Sequence, residues 1–310
     1  MKKMIIRSGC VIALSCILAV SCNNSTAEKS SEGEYDFTFA FLTDIHITDA
    51  KNADKGFMMA VDHVNSMNPD FVITGGDLVM DALGKTEAVA TKYYDLYKQL
   101  SGKIDCPVYN TLGNHEEFGF YKSSGVSRDH ELFGDKMYEK RIGPRFYAFN
   151  EKGWRFYNLD SVDETPEGNY FGTIDSVQME WIKTDLESVD PETPIVITSH
   201  IPLLTSFSQI RKGAMAPNTR GLVLENSLEL LKLFGDHNLK LVLQGHLHIV
   251  EEAYINGIRF ITGGAVSANW WEGPKQGMEE GYVLLKIKGE EIDWEYIDYG
   301  WEIEKDPVNM

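Results

Sequence analysis

Apolar residues along this chain fall in short, dense blocks that end abruptly in polar clusters, a punctuation that predicts strands alternating with helices. Phe37 to Thr43 is apolar or aromatic at almost every position, as a strand buried on both faces requires, and runs straight into Asp44-Ile45-His46. Residues 56–67 space Phe57, Ala60, Val61 and Val64 at helical intervals and stop at Asn68-Pro69. Phe71 to Thr74 reads as a short buried strand ending at Gly75-Gly76-Asp77. Residues 85–100 read as a helix with Val89, Tyr93, Leu96 and Leu100 on one face, and Pro107 to Leu112 as a strand ending at Gly113-Asn114-His115-Glu116.

The second half continues the pattern with more strand. Residues 145–159 predict a hairpin turned at Glu151-Lys152-Gly153, 175–187 a helix containing Trp181, and Pro194 to Thr198 a strand ending at Ser199-His200. A helix over 224–235 leads into Leu239 to Leu243, which ends at Gln244-Gly245-His246-Leu247-His248. Short strands follow at 251–255, 258–262, 282–288 and 292–297, with turns at Asn256-Gly257 and Lys288-Gly289. The expectation is a mixed α/β (α+β) fold with a β-rich second half and no internal repeat.

The N-terminus follows a different rule. Lys2, Lys3 and Arg7 precede an apolar stretch from Val11 to Val20, too short to span a bilayer as a mature helix and typical of a secretory signal. Ala19 and Ser21 then lead to Cys22. Residues 1–21 are therefore expected to be a signal peptide of bacterial lipoprotein type, with Cys22 as the lipidated first residue and membrane anchor. Ala19 stands where such signals usually carry Leu or Val; Cys16 is a second candidate, and ordinary cleavage with release is the other alternative. Residues 22–35, rich in Ser, Asn, Glu and Gly, read as a flexible tether, 36–300 as one catalytic domain and 301–310 as a C-terminal tail. An exported protein on the cell envelope, periplasmic or outer-membrane-facing, is the corresponding expectation. Removal of the leader leaves Cys22 and Cys106, so no disulfide framework is expected.

With 310 residues, 43% of them hydrophobic, the chain is long enough for one large core. Its formal charge of −18 argues against a nucleic-acid polymer as partner, because phosphate backbones are held by basic surfaces. A small anionic substrate would need local positive charge, which bound divalent ions can supply.

Candidate chemistry sits where the apolar blocks end. Five times a buried strand runs into Asp, His or Asn: Asp44 and His46, Asp77, Asn114 and His115, His200, and His246 with His248. Carboxylate, amide and imidazole donors without cysteine suit Mn, Fe or Zn. A turn after a strand lets both members of an Asp-x-His or His-x-His pair aim at one point, and Gly76, Gly113 and Gly245 let the backbone bend tightly there. Five of the eight histidines occupy such positions. His63, His130 and His237 have no neighbouring ligand pattern and read as structural.

In order and spacing these motifs resemble the calcineurin-like metallophosphoesterase superfamily, whose signature runs D-x-H, G-D, G-N-H-[DE], H and G-H-x-H; the resemblance covers residues 37–265. It implies two packed mixed β-sheets flanked by helices in four layers. It also implies two metal ions, one on Asp44, His46, Asp77 and His248 and the other on Asp77, Asn114, His200 and His246, with Asp77 bridging. The implied reaction is hydrolysis of a phosphate ester by a metal-bridging hydroxide, with His115 beside the leaving group as general acid and Glu116 orienting it.

Departures from the signature narrow the branch. Met80 and Ala82 stand in the second motif where protein Ser/Thr phosphatases carry V-D-R-G, and Leu112 replaces the arginine they place before G-N-H-E. Met80 also occupies the position of the tyrosine ligand of purple acid phosphatases. What remains is most similar to bacterial cyclic-nucleotide phosphodiesterases and related phosphohydrolases acting on a small diester or monoester such as a nucleotide. Trp270 and Trp271, in the loop after the last ligand motif, either stack on a nucleobase or line an apolar pocket, or belong to the core with one ring exposed. Two other readings stand beside the nucleotide one: a phospholipid or envelope-sugar phosphoesterase, and a lipid-anchored binding protein that keeps the fold without catalysis.

Overall fold

The computed structural model describes residues 35–303; the leader, Cys22, all but the last residue of the tether and most of the tail lie outside it. The first half builds one sheet. β1 (Phe37–Leu42), α1 (Ala53–Met67), β2 (Phe71–Thr74), α2 (Glu87–Ser101) and β3 (Val108–Tyr109) follow in βαβαβ succession, and the three strands pair in parallel. α1 forms because Ala53, Gly56, Phe57, Ala60, Val61 and Val64 make one buried stripe, and it ends at Asn68, which adopts the left-handed conformation.

A second sheet takes up the middle of the chain. α3 (Lys136–Arg141) precedes the hairpin β4 (Tyr147–Glu151) and β5 (Trp154–Leu159); β6 (Val162–Glu164) and β7 (Tyr170–Gly172) form a separate small hairpin. Then come α4 (Ser176–Leu186), β8 (Ile195–Ser199), α5 (Phe207–Lys212), α6 (Ser227–Leu233), β9 (Leu239–Gln244), β10 (Val250–Ile255) and β11 (Ile258–Gly263). Strand order is β10-β11-β9-β8-β5-β4, with a parallel centre and antiparallel edges. β12 (Gly281–Lys288) and β13 (Glu291–Asp298) return to the first sheet, giving β13-β12-β1-β2-β3.

Side-chain parity shows how the sheets meet. Phe37, Phe39 and Phe41 of β1 share an apolar cluster with Ile73 of β2, Phe156 of β5 and Leu241 and Leu243 of β9, while Ala40 and Leu42 belong to the larger cluster under the helices. One face of each central strand thus packs sheet on sheet and the alternate face sheet on helix, so both faces are buried. This is the expected pair of packed mixed sheets flanked by helices.

Two elements are shorter than the sequence predicts. β3 stops at Tyr109 instead of reaching Leu112, because side chains claim the backbone beyond it: Tyr147 Oη donates to the Asn110 carbonyl and the Thr111 N–H donates to Thr74 Oγ1. The helix expected over 224–235 begins only at Ser227, since Arg220 and Leu224 pair with Gly172 in β7. The β6–β7 hairpin, α3 and α5 had no strong periodic signal.

Candidate metal centre

Every candidate residue lies just past the C-terminal end of a strand, on the edge where the two sheets converge. β1, β2 and β3 deliver Asp44 and His46, Asp77 and Asn114; β8 and β9 deliver His200 and the pair His246 and His248. The backbone does something there that the motifs do not announce. Asp44, His46, Asp77, His246 and His248 all have positive φ, between 49° and 72°. A non-glycine residue in that region costs about 1–2 kcal/mol, so five together mark a site whose geometry the surrounding fold imposes. The bends are thus carried largely by the candidate ligands themselves. Gly113, by contrast, has ordinary extended backbone and serves close approach: a Cβ there would lie 2.3 Å from the Asp77 nitrogen.

Two donor clusters result. In the first, His248 Nε2 lies 3.2 Å from Asp44 Oδ1 and 3.0 Å from His46 Nε2. In the second, His200 Nε2 lies 3.2 Å from Asp77 Oδ1 and 3.1 Å from Asn114 Oδ1, with His246 in the same group. Asp77 joins them, since its Oδ2 faces His46 Nε2 at 3.6 Å. His115 stands to one side, its Nε2 3.8 Å from the same Oδ2 and its ring 4.6 Å from that of His46.

Hydrogen bonds behind the cluster prepare it for cations. The Nδ1 atoms of His200, His248 and His115 meet the carbonyls of Gly75, Ala268 and Met80, and His246 Nε2 meets that of Gly221. A carbonyl accepts only, so each of these nitrogens carries the proton and the opposite nitrogen presents a lone pair. Lone pairs and carboxylate oxygens facing one another within about 3 Å repel unless a cation lies among them, and this donor set fits metal ions. His46 is the exception, with its Nδ1 buried and unpartnered; its orientation is set by the rings of His115, His248 and Trp270 around it.

The electrostatics agree. Burial alone would raise the carboxyls of Asp44 and Asp77, but His248 beside the first, and His200 and His115 beside the second, outweigh it and hold both well below the usual range. Burial, reinforced by the His200 charge, pushes His246 down to about 4; burial, with His115 alongside, likewise depresses His46. Ionised carboxylates and the neutral imidazoles of His46 and His246 are the protonation states that metal ligation needs. His200 departs from this: burial would lower it, but Asp77 and Asp44 outweigh burial and raise it to about 9, so its proton holds the place of positive charge that a metal ion would take over.

Two details differ from the sequence reading. Glu116 does not orient His115: its carboxylate accepts the backbone N–H groups of Asp77, Gly113 and Val79, and the Met80 carbonyl holds His115 instead. The adjacent tryptophans divide. Trp271 is core, packed on Trp301 and donating from Nε1 to the His46 carbonyl at 3.1 Å, whereas Trp270 lies at the site with its ring centre 4.6 Å from that of His248. His63, His130 and His237 stand outside both clusters, as expected; His63 Nδ1 pairs with Tyr282 Oη. Beside Asn114 and His115 a cavity of about 380 Å³ opens, walled by Met80, Leu83, Tyr121 and Tyr170. Met80 stands out in the sequence only as a departure from the family signature, and Leu83 and Tyr170 had no sequence signal.

Comparison with known proteins is consistent with this geometry. The family model described as calcineurin-like phosphoesterase matches residues 37–250. A Rhodococcus erythropolis protein named a probable cyclic nucleotide phosphodiesterase is 22% identical over 196 residues, which covers 61% of this chain and 55% of that protein, little more than half its length. A Xenorhabdus bovienii protein of the same name is 23% identical over 246 residues, covering 75% of this chain and 87% of its own. Among solved structures, a dimetal phosphatase from Danio rerio shares the fold with a TM-score of 0.62 at 15% identity, over 86% of this chain and 98% of that one.

Proposed function

The chain belongs to the calcineurin-like phosphoesterase family, and from that premise we propose that it is a metal-dependent hydrolase of phosphoric esters in which Asp44, His46, Asp77, Asn114, His200, His246 and His248 hold two ions for the cleavage of a small phosphate ester. The observation that carries this reading is the division of the Asp77 carboxylate: Oδ1 faces His200 and Oδ2 faces His46, so one side chain serves both donor clusters. Asp44, His46 and His248 complete the first set with Asp77; Asn114, His200 and His246 complete the second. When bound, a pair of Mn, Fe or Zn ions supplies Lewis acidity, neutralising phosphate oxygens and lowering the pKa of water.

The protein's own groups do the rest. His115, with Nδ1–H tied to the Met80 carbonyl, presents Nε2 toward Asp77 and lines the 380 Å³ cavity; in its imidazolium form, protonated on both nitrogens, it gives the Nε2 proton to the departing oxygen and returns to the neutral ring. Tyr121 and Tyr170 offer aromatic walls for the leaving group, a shape that suits a small organic ester such as a nucleotide. The names of the two curated relatives support a cyclic nucleotide as one member of that class.

The test is hydrolysis of bis-p-nitrophenyl phosphate by the full protein, with the metal content measured alongside. Chelation is expected to abolish turnover and Mn to restore it at about two ions per chain. Asp77→Ala is expected to lose both ions and activity; undiminished turnover in that variant would refute the assignment.

A further inference from the structure

The chain carries 47 acidic residues against 29 lysines and arginines, and part of that excess is gathered in one place away from the metal centre. Six acids, Glu117, Asp135, Asp160, Asp163, Glu164 and Asp175, line a cavity of about 270 Å³, against two basic residues, Arg145 and Lys136. The fold draws them from four segments: the loop after Asn114, the start of α3, the stretch from β5 into β6, and the start of α4. Backbone bonds between Phe118 and Gly134, N–H to carbonyl in both directions at 3.1 and 2.8 Å, hold the first two segments together. The cavity shares no residue with the one beside His115.

Most of this charge is answered within the protein. Arg145 spreads its guanidinium over Asp135 at 3.2 Å, Asp160 at 2.7 Å and Asp175 at 2.6 Å, and Arg128 meets Glu164 at 2.7 Å. Glu117 is the exception. It is only 2% exposed, yet among the described residues its carboxylate makes no hydrogen bond and no ion pair. Its Oε2 lies beside Gly134, another wall residue, 3.5 Å from where a Cβ would stand there. A buried carboxylate without a partner is costly. Burial first, then the charges of Asp160, Asp135 and Glu116 against that of Arg145, hold its carboxyl well above the usual range. Burial likewise lifts Asp160 to about 7, although Arg145 is bonded to it. A cation beside Glu117 would relieve both.

The walls decide what kind of cation fits. Among the described residues, the groups of donor atoms close enough together to hold a metal ion all lie at the metal centre, so this cavity is no ready-made cage for a bare ion. Phe120 and Phe133, their rings 5.6 Å apart, line it as well. Carboxylates with aromatic faces are the surroundings that ammonium and guanidinium groups favour. At about 270 Å³ the space is below that of pockets for drug-sized ligands, so the occupant is short.

We propose that this cavity is a binding site for a small organic cation, an alkylammonium or alkylguanidinium whose charge sits beside Glu117 and whose chain packs on Phe120 and Phe133. The site is separate from the metal centre and stands independently of the hydrolase reading.

Calorimetric titration of the full, Mn-saturated protein with n-butylammonium and n-propylguanidinium tests it, with n-butanol as the uncharged probe and Ca²⁺ as the bare ion. Wild type is expected to bind at least one of the organic cations, and to bind butanol far more weakly. Glu117→Gln is expected to weaken the cation by roughly tenfold and Phe133→Leu by about threefold. Exposed Glu139, outside the cavity, is the charge control, and Glu139→Gln binds like wild type. No binding of either cation to wild type, or unchanged affinity in Glu117→Gln, overturns the site. Butanol bound as tightly as butylammonium overturns it too, as does a Ca²⁺ site that Glu117→Gln abolishes, which would make the cavity a metal site. Should Glu117→Gln fail to fold, Phe133→Leu and the butanol comparison decide the matter.

Discussion

Glu116 lies directly behind Asp77: its Oε2 accepts the Asp77 backbone N–H at 2.8 Å and that of Gly113 at 2.8 Å, while Oε1 takes Val79 N–H at 3.0 Å. One buried carboxylate thus ties the loop after β2 to the loop after β3 and fixes the residue that joins the two donor clusters. Glu116→Gln keeps the shape but turns one acceptor into an NH₂ group facing N–H donors. The expected outcome is a loss of about 1–3 kcal/mol in stability and roughly 10–100-fold weaker Mn binding. Thermal unfolding and Mn titration read the two effects, and wild-type Mn affinity in the variant would show that this support is dispensable.

His115 sits close enough to Asp77 and His46 to be mistaken for a ligand, since the three form a possible metal group of their own. The residue also lines the cavity proposed for the leaving group. His115→Ala is expected to retain its Mn while kcat falls by about 10²–10⁴ for esters with poor leaving groups. The loss should shrink with p-nitrophenol, which departs without a proton. A fall in Mn content, or an equal loss with both kinds of leaving group, would make His115 a ligand instead.

Core packing reaches the centre through Trp271. Its Nε1 holds the His46 carbonyl, and its ring lies so close over α1 that a Cβ on Gly56 would stand 2.3 Å from Cζ3. Gly56→Ala must displace that ring, because α1 is anchored along its whole buried stripe. Destabilisation of about 1–3 kcal/mol is expected from the overpacking, together with weaker Mn binding as His46 moves. Unchanged Mn affinity in a destabilised Gly56→Ala protein would uncouple the core from the site.

Much of this was legible in the residue pattern, and the reason is physical. Phe39 and Phe41 alternate with Ala40 and Leu42 between two different cores, which leaves β1 apolar at every position but Thr38 and therefore conspicuous. Asp44, His46, Asp77, Asn114, His200, His246 and His248 stood out because carboxylate, amide and imidazole donors recur at five buried-strand ends along the chain. Carbonyl partners left no trace: any residue supplies a carbonyl, so Met80, Gly221 and Ala268 can be identified only from the folded backbone. The Glu116 role was hidden for a related reason, since its sequence neighbour His115 is not its spatial partner.

Glu280, at the foot of the loop that carries Trp270 and Lys275, gives the fold its own pH dependence. The residue is buried, its Oε1 has no partner, and burial, followed by the charges of Glu279 and Asp298, pushes its carboxyl from 4.5 up to about 7. The folded state therefore keeps a proton that the unfolded chain gives up near pH 4.5. Between those two values the folded state binds more protons, so raising the pH favours unfolding. The stabilising contribution is complete below about pH 4.5 and is lost as the pH rises through about 7. Glu280→Gln, which stays neutral throughout, is expected to remove that part of the slope and to gain most relative to wild type above pH 7. Denaturant midpoints of the two proteins at pH 5 and pH 8, compared at matched Mn, measure it. Parallel pH profiles would mean that Glu280 ionises at no cost and that the loop is held by other contacts.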